Sequence, residues 1–208
     1  NDGALKDIYS MSVTMNWNRT DHYYEKDEWR GKVAKDWGTL GSQCAHFVDL
    51  ISYLSKSELK VLFATGARRH TSIEQNFDDE GIVIWESMDS KTRAIIQYST
   101  NCYDKNIEGS ISILAKNGSI KIGGKYLNKI EYCHIEGVNV KPEAFTEQTP
   151  ANNYGSFQGT AANHQKVFNN LIDHKNGLSN LYYNADEASE TIKMIEDAYK
   201  IMNIQNMI

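Results

Sequence analysis

The stretch GSQCAHFVDL (residues 41–50) contains a histidine whose neighbours could make it reactive. Taken as a helix at about 100° per residue, it gathers Ser42, His46, Asp49 and, one turn on, Tyr53 into one polar stripe. Phe47, Val48, Leu50, Ile51 and Leu54 fall on the other side. An imidazole ordinarily titrates near neutrality, so it can accept and return a proton in general acid–base work. Asp49 would orient the ring or pair locally. Ser42 reads as a helix-start residue or as a contact to substrate or cofactor. The plain alternative is that the stripe is the solvated side of an amphipathic helix.

Other candidates flank this helix. Trp29-Arg30 is a stacked cation–aromatic pair or part of a binding surface. Arg19, Tyr23 and Tyr24 could grip a carboxylate or diphosphate, since a guanidinium offers a planar fork of donors. Equally, they could pin a loop by aromatic burial. Asn163 and His164 open a later helix, where unpaired N–H groups and the positive dipole end favour an anion. Arg68-Arg69-His70 reads as a solvated strand edge. Cys44-Ala-His46 and Cys133-His134 lack the usual ligand spacing, so no metal site is expected.

The elements that must hold these residues follow from pattern. Residues 8–16 alternate in the manner of a strand, followed by an irregular aromatic and charged segment of some length, which is often functional. A helix is predicted over 41–54. Strand patterns then run from Leu59 to about Lys141, with Asn117-Gly118 as a dipeptide suited to the positive φ of a tight hairpin. Pro142 and Pro150 close this section. Two helices are predicted at the end, over 160–174 and 186–202, the second capped by Asp186. Consecutive strands with short turns imply an α+β fold: a large, mostly antiparallel open sheet with helices on one face. No GxGxxG cradle for a dinucleotide is visible.

Composition narrows the function classes. The 208 residues carry a net charge of −5 with dispersed basic residues, which does not favour nucleic acid. No apolar run is long enough to span a membrane. Three widely spaced cysteines give no disulfide framework, and the first residues, NDGALKDIYS, show no secretory signal, so a cytoplasmic setting is expected.

Four segments in order carry a resemblance: WNRTDHYYEKDEWRGKVAKDWGTLGSQCAHFVDLISYL (17–54), FDDEGIVIWESMDSKTRAIIQYST (77–100), EGSISILAKNGSIKIGG (108–124) and NNYGSFQGTAANHQKVFNNLIDHKNG (152–177). Together they resemble the C-terminal domain of the Gfo/Idh/MocA oxidoreductases, and most closely the uronate 3-dehydrogenases that act on UDP-N-acetylglucosaminuronate. The tyrosine pair, WRG, the glycine-containing turn and HxxDL follow one another at that family's spacing. The resemblance implies a glyceraldehyde-3-phosphate-dehydrogenase-like domain over 1–208, for substrate binding and oligomerisation. The N-terminal Rossmann domain, with its Glu-Lys-Pro lysine and most of the site for NAD or NADP, would be absent, and the isolated chain inactive.

The same resemblance implies that His46 is the acid–base residue on the hydroxyl being oxidised and that Trp29-Arg30 lies near the nicotinamide carboxamide. Many members carry Asp where this chain has Ser42, which leaves His46 without that carboxylate. A sugar or nucleotide-sugar substrate is expected, with a homo-oligomer formed through the open sheet face. Two other readings stay open: a family member that cleaves glycosides with NAD, and a non-catalytic binding or regulatory member.

Overall fold

The computed structural model describes residues 4–138, 152–153, 158–159, 164–180 and 184–202. Its elements are β1 (Ile8–Asn16), α1 (Asp21–Glu25), α2 (Val33–Asp36), α3 (Gly38–Ser42), α4 (Ala45–Ser55), β2 (Leu59–Ala67), β3 (Glu80–Ser87), β4 (Arg93–Ser99), β5 (Glu108–Ala115), β6 (Gly118–Gly123), β7 (Lys129–Ile135), β8 (Asn152–Asn153), β9 (Gln158–Gly159), α5 (His164–Lys175) and α6 (Ala185–Ile201). Seven strands form one sheet in the order β2-β3-β4-β1-β5-β6-β7. Its pairs are antiparallel except β1 with β4, which run parallel at the centre.

Alternation along the strands separates two faces. Met11, Val13 and Met15 of β1 are buried together with Val83, Trp85, Ile96, Tyr98, Ile111 and Ile113. Phe47, Val48 and Ile51 of α4 and Met194, Ile195, Ala198 and Tyr199 of α6 cover them, so the core lies between sheet and helices. In α6 the buried positions recur at three- and four-residue spacing, as a helix lying on a sheet requires. The opposite face has no helix over it among the described residues. There Phe63, Ile84 and Ile95 lie side by side in register, followed by Ser12 and Ser112. Phe63 is 48% exposed and Ile82 36%. The expected apolar area is present on this face across β2–β4, and Leu114 of β5 and Tyr132 of β7 are exposed on the same face.

Several local expectations are corrected. The helix predicted over 41–54 is two helices, broken at Gln43-Cys44. Thr39 O accepts both the Gln43 and Cys44 N–H, and Cys44 O accepts both Phe47 and Val48 N–H, which widens one turn and tightens the next. The break turns Cys44 into the core against Met15 while Gln43 stays half-buried. The β5–β6 hairpin forms, with Ala115 paired to Gly118, yet neither Asn117 nor Gly118 has a positive φ. Glycine is needed at 118 for another reason: a Cβ there would meet His134 O at 2.7 Å across β7. The cap of α6 is Asn184, in a capping box with Glu187, in place of Asp186. Pro142 and Pro150 lie outside the described residues.

Candidate active site

The WRG turn begins the site. Gly31 has φ +67°, and a Cβ on it would meet Ile73 Cγ2 at 2.7 Å, so only glycine fits. Its N–H donates to Asp36 Oδ2 at 2.7 Å, and its carbonyl accepts from Glu74 N–H. This fixes Arg30, whose guanidinium stacks 4.1 Å from the Tyr23 ring centroid and 4.5 Å from that of Trp29. Asp27 pairs with Arg30 from the same turn. Trp29 itself is 43% exposed.

Arg19 is the second cation in this ladder. It lies 5.2 Å from both the Trp17 and Tyr23 ring centroids and is buried, as are Tyr23 and Tyr24. Its Nε and Nη2 donate to Gln43 Oε1, and Nη1 donates to Asn18 O. Gln43 Nε2 in turn donates to Tyr23 Oη at 3.1 Å. Gln43 therefore joins the aromatic–arginine ladder to the α3–α4 break, three residues before His46. The sequence reading passed over Gln43, and only its place beside HxxDL hinted at it. The Tyr24 ring packs edge-on against Tyr23, centroids 5.1 Å apart, while its hydroxyl shares a hydrogen bond with Thr100 at 3.0 Å and burial raises its pKa.

The polar stripe is divided by the helix break. Ser42 ends α3, half-buried, and its hydroxyl donates to Gly38 O at 2.8 Å. His46 lies in the first turn of α4, exposed. Asp49 Oδ1 accepts from Thr191 of α6 at 3.1 Å, which ties α4 to α6. Tyr53 is exposed. His164 is the exposed first residue of α5, and Asn163 lies outside the described residues.

Three buried carboxylates missed by the sequence reading support this surface. Burial raises the Asp36 carboxyl, partly offset by the Gly31 N–H, the nearby Ser42 hydroxyl and Arg30; its Oδ1 has no hydrogen-bond partner among the described residues. Asp78, fully enclosed, accepts Tyr98 Oη–H at 2.6 Å and Leu40 N–H at 3.2 Å on Oδ2, and its Oδ1 lies 3.0 Å from Tyr199 Oη. Burial pushes its pKa up to about 7 against those hydrogen bonds. Asp79 accepts the backbone N–H of Arg69 and of His70, Asn101 Nδ2 and the His70 ring. Burial opposes its ionisation, but the hydrogen bonds from His70 and Asn101 prevail and hold its pKa below the usual value.

The expectation of a solvated edge at 68–70 is thus corrected for His70. Arg69 is exposed and pairs with Glu80. The His70 side chain is 13% exposed, packs 5.1 Å from the Tyr24 ring and is held by Asp79, which raises its pKa. Among the described residues no group of three or more His, Cys, Asp or Glu could hold a metal ion. Nor is any helix long and apolar enough to cross a membrane.

Residues 1–121 match the GFO/IDH/MocA C-terminal domain. The chain belongs to that family. No curated protein matches it. Among solved structures it is similar to the WlbA dehydrogenase from Bordetella pertussis in complex with NADH and UDP-GlcNAcA. That match has 22% identity and a TM-score of 0.76, and covers 97% of this chain and 54% of that one. The WlbA dehydrogenase from Chromobacterium violaceum gives 22% and 0.75 over the same shares. A levoglucosan dehydrogenase bound to NADH gives 14% and 0.65, covering 97% of this chain and 58% of that one. The chain spans about half the length of these structures, and the likeness shows a shared fold.

Proposed function

We propose that this chain is the substrate-binding domain of an NAD(P)-dependent oxidoreductase that oxidises a sugar hydroxyl to a ketone, with a nucleotide-activated uronate as the preferred substrate class. The observation that carries this reading is the exposed His46, set just past a break whose Gln43 is clamped to the Arg19–Tyr23–Arg30–Trp29 ladder. A proton-transfer group needs access to substrate and a rigid mount, and this arrangement supplies both. The WlbA structures, with NADH and UDP-GlcNAcA bound, support the substrate class.

The residues fit one end of a nicotinamide cofactor and no more. The flat, partly exposed Trp29-Arg30 pair offers a stacking surface and N–H donors to a carboxamide. In this reading a Rossmann domain upstream holds the rest of the dinucleotide. When bound, that cofactor would supply the acceptor for the hydride of the hydroxyl-bearing carbon. His46 takes the hydroxyl proton, so that the C–H and O–H bonds break as C=O forms. Arg19 already spends donors on Gln43 and Asn18 O, so a direct grip on a carboxylate requires the Gln43 contact to exchange. Ser42, Tyr23 and His164 are the further substrate contacts in this reading; Asn163 belongs to the same proposal, and Asp49 and Tyr24 could take part only by exchanging their hydrogen bonds to Thr191 and Thr100. Cytoplasmic residence and a homo-oligomer, formed by covering Phe63, Ile82, Ile84 and Ile95, belong to the same proposal. A monomeric mass at high concentration in light scattering would remove the oligomer.

One observation favours the non-catalytic alternative. Ser42 directs its hydroxyl hydrogen inward to Gly38 O, so it brings no carboxylate to His46. The test is the full-length protein given NAD+ and a panel of UDP-sugars, with NADH followed by absorbance. Turnover abolished by His46→Ala is expected; full turnover in that variant sinks the assignment. Tight sugar binding without reduction indicates the binding module, and aglycone release without net NADH indicates the glycosidase.

A further inference from the structure

The segment that launches α3 and α4 is held by a buried cluster outside the candidate site. Trp37 adopts a left-handed backbone, φ +62°, between α2 and α3, a conformation that a bulky residue keeps only when its surroundings enforce it. The enforcement comes from Tyr199 of α6, whose hydroxyl lies 3.0 Å from Trp37 O and 3.0 Å from Asp78 Oδ1, and accepts Gly41 N–H at 3.2 Å. Asp78 Oδ2 takes Leu40 N–H and Tyr98 Oη–H, and Asp78 O takes Thr39 N–H.

We propose that Asp78 is a positioning residue for residues 37–46, and that it holds them as an uncharged carboxylic acid. Its consequence for catalysis rests on the role proposed above for His46. The argument is a count of protons. Tyr199 has one hydroxyl hydrogen and two acceptors within reach, Trp37 O and Asp78 Oδ1. If Asp78 is ionised, both compete for that hydrogen and a negative charge stands in the core without a cation. If Asp78 carries a proton on Oδ1, it donates to Tyr199 Oη, and Tyr199 donates wholly to Trp37 O. Gly41 N–H still reaches the second lone pair of Tyr199, and Oδ2 keeps both its donors. Every polar atom of the cluster is then paired.

The titratable groups facing Asp78 agree with this. They are Tyr98 from β4, Tyr199 from α6 and the buried Cys44 thiol at the α3–α4 break, each with its pKa raised first by burial. None supplies a positive charge. Asp79, next in the chain, is turned to His70.

Asp78→Asn and Tyr199→Phe separate the neutral clasp from an ionic one. An asparagine amide donates to Tyr199 Oη as the protonated carboxyl would, and cannot ionise. The readouts are urea unfolding of this chain from pH 5 to 8 and amide-exchange protection of Leu40 and Gly41. Relative to Asp78→Asn, the wild type should lose stability as pH rises, its unfolding constant growing by about tenfold or more across that range. Protection at Leu40 and Gly41 should fall with it. Tyr199→Phe should lose Gly41 protection at every pH. Parallel pH curves for wild type and Asp78→Asn, or an Asp78→Asn chain less protected than Tyr199→Phe at pH 5, would overturn the proposal. In the full-length protein, Asp78→Leu should lower kcat with KM unchanged; equal kcat would overturn the positioning role. If the wild type reduces no NAD+, the oxidoreductase reading fails, and the unfolding and exchange results still decide how Asp78 acts.

Discussion

Asp78 and Asp79 are adjacent, both buried, and their pKa values are shifted in opposite directions. Asp78 faces the helix layer, where its partners are two tyrosines and one backbone N–H, and burial carries its carboxyl up to about 7. Asp79 faces the turn after β2, where two backbone N–H groups, an amide and an imidazole converge on it and keep it ionised. Burial alone sets neither outcome. What differs is whether the surrounding donors bring enough positive character to outweigh desolvation. The first site joins α3 and α6 to the sheet by neutral bonds; the second fixes the strand edge beside Tyr24 by charge-assisted ones.

The sharpest way to break this comparison is to place the same amide at both positions. At Asp79 an Asn presents an NH2 to donors that need acceptors, leaving buried N–H groups unpaired, and should cost about 3 kcal/mol. At Asp78 the same change should cost less than about 1 kcal/mol near pH 7, because the amide reproduces the neutral acid. Urea unfolding of the two variants measures the gap. Equal losses would mean that the two carboxylates share one charge state.

None of this was visible along the chain, although much of the fold was. Strand β1 was readable to its ends because one buried face enforces strict alternation. The helix break at Gln43-Cys44 was not readable, since the apolar spacing of LGSQCAHFVDLISYL runs through it without interruption. What breaks the helix is tertiary: Gln43 is claimed by Arg19 and Tyr23, and Cys44 by the core. FDDEG reads as turn punctuation, and the partner that gives Asp78 its character, Tyr199, lies 121 residues away. One signal was available: Tyr98 and Tyr199 occupy core positions, and a buried tyrosine hydroxyl needs an acceptor. His70 was read as solvated because Arg68-Arg69-His70 ends a strand; Tyr24 and Asp79 enclose it from outside its own segment.

The smaller effect is in pH dependence, and it separates the two sites by window. His70 has a raised pKa, first through its hydrogen bond to Asp79 and against its own burial. Its contribution to stability is therefore complete below the ordinary 6.5 and is lost as pH rises through the raised value. Asp79, with a lowered pKa, contributes above its ordinary 3.8 and loses that contribution only as pH falls through the lower value. The pair thus favours the fold across the interval between those limits. Asp78 behaves otherwise: its contribution declines from about 3.8 upward and is exhausted beyond about 7. His70→Asn keeps a donor toward Asp79 without a titrating ring. Relative to that variant, the wild type should hold its advantage through pH 6 and lose it above 6.5, while relative to Asp78→Asn most of its loss precedes pH 7. Ring-carbon NMR of His70 gives the independent check, with a midpoint above 6.5 expected. A midpoint at or below that value would mean that Asp79 does not hold the imidazolium, and that both carboxylates answer to burial alone.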